Sequence, residues 1–125
     1  AVTGKLRHPA DYQIFSYICL MKEKDTHIAT RIRTEIKRID PKAKVVLFGS
    51  RARGDAKKDS DWDLLILIDS LNIRESEDLF RDKIYDLELE TGEIISMFVY
   101  NNKDWTSRHK ITPLYKSIKK EGVVL

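Results

Sequence analysis

Between residues 47 and 64 the chain concentrates its chemically capable side chains: Leu47-Phe48-Gly49-Ser50-Arg51-Ala52-Arg53-Gly54, a polar stretch ending at Ser60, then Asp61-Trp62-Asp63-Leu64. Asp61 and Asp63 stand one residue apart at the mouth of an apolar run. Strand side chains alternate with period 2, so both carboxylates project from the same face. Two such hard oxygen ligands suit Mg²⁺, which keeps several waters and takes one or two protein carboxylates alongside substrate phosphates. Gly49-Ser50, directly after another apolar run, lets the backbone turn sharply and brings N–H groups and a hydroxyl toward a phosphate. Arg51 and Arg53 add donors able to grip phosphate oxygens bidentately.

Each feature also has an ordinary structural reading. An Asp-x-Asp pair fits two solvated carboxylates at a strand end, Gly-Ser fits a plain turn, and an arginine-rich loop fits a solvated one. Their conjunction favours chemistry. All three lie between Gly49 and Asp63 and bracket one strand-loop-strand unit, with the phosphate grip at one strand end and the carboxylate claw at the next.

The elements that must position these residues are legible from periodicity. Val45–Phe48 and Leu64–Ile68 are short continuous apolar runs of the kind expected of strands buried on two faces, and Ile94–Tyr100, apolar but for Ser96, is a third. Ahead of the first, with Asp25 or Thr26 as N-cap, Ile28, Ile32, Ile36 and Ile39 form one apolar stripe on a helix that Asp40-Pro41 stops. A second helix over Arg74–Leu89 joins the second and third strands through Leu79, Ile84 and Leu87 with Tyr85 or Phe80, and Thr91-Gly92 ends it. Thr112-Pro113 reads as an N-cap with proline at the first helical position, giving a terminal helix over 113–121 before Gly122. Tyr12, Phe15 and Cys19 predict a short helix near the start. Met21 opens a charged stretch that reads as an ordinary chain start, so residues 1–20 are expected to be an N-terminal extension of a single domain whose core spans about 26–122.

At 125 residues and 42% apolar content the chain is long enough to close one core, and its eight Gly plus Pro argue against disordered or collagenous classes. The run Leu64–Ile68 falls far short of the roughly 20 residues a membrane helix needs. One cysteine, Cys19, excludes an internal disulfide and suits a reducing compartment, so the expected location is cytoplasmic. Residues 1–60 carry 14 Lys/Arg against 7 Asp/Glu, while the remainder is acidic; the signs are interspersed, which disfavours a nucleic-acid partner.

Gly49-Ser50, ten residues, then Asp61-x-Asp63, with Arg51-Ala52-Arg53-Gly54 after the serine, closely resembles the signature of the minimal nucleotidyltransferases of the polymerase-beta-like superfamily. The resemblance runs from about Thr26 to the ending Ile118-Lys119-Lys120-Glu121-Gly122. It implies an α+β fold, an α-β-β-α-β core with a small mixed sheet flanked by helices. It implies transfer of a nucleoside monophosphate, AMP from ATP, to an acceptor hydroxyl, with two Mg²⁺ ions bridged by Asp61 and Asp63. Gly49, Ser50, Arg51 and Arg53 would hold the phosphates of the leaving pyrophosphate. It further suggests pairing with a HEPN-domain protein, as in antitoxins that adenylylate a HEPN toxin.

One departure stands out. The family carries a third carboxylate in the middle of the next strand, which reads Glu93-Ile94-Ile95-Ser96-Met97-Phe98-Val99 here and places Ser96 at that position. Serine supplies no negative charge. Glu93 could substitute only through a three-residue shift, and an odd slip reverses the face presented. A water, the acceptor or a partner protein could complete the site; the alternative is a degenerate nucleotidyltransferase-fold binding module that acts by holding a HEPN-type partner. His8, His27 and His109 lack ligand spacing and are expected at the surface, and Trp62 and Trp105 are expected to be packing aromatics.

Overall fold

The computed structural model describes residues 23–125; the helix expected around Tyr12–Cys19 and the extension 1–20 lie outside them. Helix α1, Glu23–Ile39, buries Ile28, Ala29, Ile32 and Ile36 on one stripe. It is already helical at Glu23, so Asp25 and Thr26 lie within it and do not cap it. The Asp25 carboxylate instead accepts a hydrogen bond from Arg51 Nη1 at 3.3 Å.

Strands β1, Lys44–Phe48, and β2, Trp62–Ile68, pair antiparallel, with Val46 opposite Leu65 and Phe48 opposite Asp63. Between them lies a one-turn helix, α2, Ser50–Arg53, where sequence reading gave only a loop. Strand β2 starts two residues before the apolar run because Trp62 is itself buried and its N–H donates to the Ile94 carbonyl at 2.8 Å. The long helix α3, Ile73–Thr91, is capped by the Asn72 side chain and ends at Gly92 in the left-handed conformation, φ 75°. Its buried stripe is Phe80, Ile84 and Leu87; Leu79, expected on that stripe, is half exposed, since a neighbouring residue lies about 100° round the helix. This helix is the crossover that a parallel pair requires, and it delivers β3, Ile95–Asn101, parallel to β2. Contrary to expectation, this edge strand is not buried on both faces: only Ile95 and Val99 are buried, while Phe98 is exposed.

The short helix α4, Asn102–Ser107, has no periodic signal and is pinned by the buried Trp105. Helix α5, Pro113–Glu121, has Thr112 Oγ1 accepting from the Tyr115 N–H at 3.2 Å. Gly122 is extended (φ −65°), and the chain continues into β4, Val123–Val124, which pairs antiparallel with β1. The sheet is mixed, in the order β3-β2-β1-β4, and the fold is α+β with helices on both faces.

Strand β2 explains its own composition. Trp62, Leu64, Ile66 and Ile68 enter the core shared with α1 and α3, whereas Leu65 and Leu67 enter a second core with Trp105 and Ile118. All of Leu64–Ile68 is buried, as the unbroken apolar run implies. His109, expected at the surface, is half-buried with its ring 4.5 Å from that of Tyr100 beside Trp105. Among the described residues no helix is long and apolar enough to cross a membrane.

Candidate functional site

Asp63 follows Leu65 and Leu67 in alternation and so faces the second side of the sheet, at the strand end. The register places Phe48 on one side of it and Ser96 on the other, and neighbours in register share a face. Ser96 therefore stands next to Asp63 on the same face of the sheet. Asp61, exposed and one residue before β2, is close enough to act on Asp63 electrostatically. Burial, and then the Asp61 charge, push the Asp63 carboxyl above its ordinary range; Arg53 partly offsets this.

Gly49 meets Asp63 from the β1 side. Its backbone, φ 75° and ψ −158°, occupies a region open essentially to glycine alone. A Cβ there would also collide with Asp63 Oδ2, so the carboxylate lies directly against the turn. The Gly49 carbonyl accepts from the N–H groups of Ala52 and Arg53 at 3.1 and 3.0 Å, which starts α2. Ser50 opens that helix and is half-buried.

The two arginines part company. Arg53, with its side chain about half exposed, donates from Nε to Asp55 Oδ2 and from Nη1 to both carboxylate oxygens of Glu121, each at 3.3 Å. Those partners, Asp55 first and Glu121 second, strengthen its hold on its proton. Arg51 is buried, and its guanidinium is turned inward rather than offered to a phosphate. Nη2 donates to the Ser60 carbonyl at 2.9 Å and the Lys58 carbonyl at 3.4 Å, and Nη1 reaches Asp25. Its Cζ lies 4.9 Å from the ring centre of Trp62, a cation–π contact. With these donors committed, Arg51 braces the loop that leads to Asp61.

Glu93 belongs to that same inner cluster. It accepts from Trp62 Nε1 at 3.3 Å and pairs with Arg51 at 3.5 Å and Lys24 at 3.4 Å. That is the Trp62 side of the sheet, not the Asp63 side, as an odd separation from Ser96 requires. Trp62 and Trp105 are buried packing aromatics.

Gly49, Asp61, Asp63, Arg53 and Ser96 are thus gathered at one sheet end, while Arg51 and Glu93 face the other way. Among the described residues no cluster of three or more His, Cys, Asp or Glu could hold a metal ion. A two-carboxylate donor set with one carboxylate strained by its neighbour fits a hard divalent cation that completes its shell with water and phosphate oxygens. Sequence reasoning missed Asp55 and Glu121. Asp55 lies two residues after Arg53 and was locally discoverable; Glu121 is 68 residues away and no spacing rule reaches it.

The sequence profile of the nucleotidyltransferase domain family matches residues 29–125. Among solved structures, a Sulfolobus solfataricus protein described provisionally as a nucleotidyltransferase shares 21% identity, with a TM-score of 0.52 over 97% of this chain and 90% of that one. The RNA terminal uridylyl transferase Cid1 shares 21% identity at a TM-score of 0.46; 88% of this chain is covered, but it spans only 41% of Cid1. No curated protein matches the chain.

Proposed function

We propose that this chain, which belongs to the nucleotidyltransferase domain family, is a Mg²⁺-dependent enzyme that moves AMP from ATP to an acceptor hydroxyl, on a HEPN-type partner protein in the cytoplasm. The observation that carries the reading is Asp63 seated against the glycine-only turn at Gly49, with the Asp61 charge close enough to act on it. Asp61 and Asp63 hold the cations. Gly49, Ser50 and Arg53 receive the phosphates of the leaving pyrophosphate, and Arg51 supports them from behind. Magnesium, when bound, neutralises charge on the phosphate oxygens and favours ionisation of the acceptor hydroxyl. The chain contributes by fixing the donors before substrate arrives, so that positioning and charge account for most of the acceleration.

A second reading, the degenerate module that works by holding its partner, is favoured by Ser96 beside Asp63. Calorimetric titration with ATP, with and without Mg²⁺, separates the two. Metal-dependent binding that disappears in Asp61→Asn/Asp63→Asn is the expected result, with the variant still folded because two crowded like charges are removed. Equal binding of Mg-ATP by parent and variant would overturn the enzyme reading.

A further inference from the structure

We propose that Glu121, the last residue of α5, is a positioning residue for the nucleotide grip: its carboxylate fixes the Arg53 guanidinium and tethers the Gly49 turn. Both then meet the outer phosphates of a nucleoside triphosphate already oriented. The inference rests on the nucleotidyltransferase reading, in which Arg53 and Gly49 receive those phosphates.

An exposed arginine held at one nitrogen still swings about that bond. Arg53 is held at two, Nε by Asp55 and Nη1 by both oxygens of Glu121, so the plane of the fork is set. Its Nη2 makes no hydrogen bond to a described residue, which leaves one edge of the guanidinium for an anion. The same Glu121 carboxylate accepts from the Gly49 N–H at 3.4 Å, a long contact that tethers the turn without saturating it. The anchor is firm. Glu121 is followed by Gly122, which packs against Val46 of β1, and then by β4, which pairs with β1 beside the turn; the Glu121 side chain is only 23% exposed. The C-terminal helix is thereby coupled to the phosphate grip across 68 to 72 residues of sequence.

The opposing idea is that Glu121 merely occupies the phosphate position and must leave, and the two ideas predict opposite signs. The experiment is calorimetric titration of the full chain with Mg-ATP and with Mg-AMP, beside melting curves, for the parent, Glu121→Ala, Glu121→Gln, Arg53→Ala and Arg53→Ala/Glu121→Ala. If Glu121 positions Arg53, Glu121→Ala binds Mg-ATP about five- to tenfold more weakly, the loss expected of one oriented hydrogen bond. Glu121→Gln, which keeps an oxygen acceptor, falls between parent and Ala. AMP lacks the outer phosphates, so its affinity is unchanged, and the double variant loses less than the sum of the two single losses, any remainder beyond Arg53→Ala reporting the Gly49 tether. Unchanged or tighter Mg-ATP binding by Glu121→Ala overturns the proposal, as does equal weakening toward ATP and AMP. Should Glu121→Ala unfold, Glu121→Gln decides by the same ATP-to-AMP comparison. A parent that binds no Mg-ATP overturns the underlying nucleotidyltransferase reading instead, which distinguishes the two failures.

Discussion

A methyl group on Gly49 would strain the backbone and press on Asp63 at once, and the two costs are separable. The φ 75°, ψ −158° conformation costs a residue with a Cβ about 1–3 kcal/mol. The new Cβ also meets Asp63 Oδ2 and, at 3.2 Å, Asp63 Cγ, and overpacking of this kind costs a further ~1–3 kcal/mol. Gly49→Ala should therefore lose about 2–6 kcal/mol in all. In an Asp63→Ala background both offending atoms are gone and only Cβ remains, at an ordinary 3.4 Å. There the same substitution should cost backbone strain alone, so the cycle should show a coupling of roughly 1–3 kcal/mol. Gly54 is the control. It has φ 84° with nothing within 4 Å of a built Cβ, so Gly54→Ala should cost only about 1–2 kcal/mol and be indifferent to Asp63. Urea denaturation in chelator, with coincident fluorescence and circular dichroism transitions, gives all the values. Additivity of Gly49→Ala and Asp63→Ala within about 0.5 kcal/mol would refute the close approach of carboxylate and turn on which the site is built.

Three other outcomes follow from the same packing. Asp63 is held above its ordinary pKa by burial first and by Asp61 second, so the folded state binds its proton more tightly than the unfolded chain does. Its favourable contribution is then complete below the unfolded pKa and lost as pH rises through the raised folded one. In chelator, Asp63→Asn should accordingly gain melting temperature relative to the parent between acid and neutral pH; a constant difference would contradict the shift. Arg51→Met should destabilise by about 3–5 kcal/mol in denaturant melts, because it strands Glu93 and Asp25 without their guanidinium beside Trp62. A loss below ~1 kcal/mol, as for an exposed pair, would show that the inner cluster is not formed. Phe80→Ala should cost about 3–5 kcal/mol and Leu79→Ala well under half of that, since the first is fully buried and the second half exposed; comparable losses would mean that α3 is rotated.

Legibility from the sequence follows how local each signal is. Helix α5 occupies the expected 113–121 because its cap chemistry, Thr112 and Pro113, lies within four residues of its start. The central strands were legible because a strand buried on both faces must be apolar throughout, and β2 carries no alternation to misread. Helix α4 was not legible, since six residues anchored by one tryptophan carry no period. The partnership of Glu121 with Arg53 and Gly49 depends on α5 returning to the end of β1, a tertiary fact that no window of residues contains.

The inward turn of Arg51 has the same kind of cause. Arg51 and Arg53 share a face if residues 50–53 are extended, since residues two apart then point the same way, and both would reach a phosphate. Gly49 turns at positive φ and its carbonyl accepts from Ala52 and Arg53, so those residues form a helical turn, in which residues two apart point about 200° from each other. One arginine must then face the core and the other the sheet end. Trp62, Glu93 and Asp25 are the groups that receive the inward one, and Asp55 and Glu121 receive the outward one. The glycine that lets Asp63 approach the turn is thus also the residue whose conformation divides the arginines between bracing the loop and facing the sheet end.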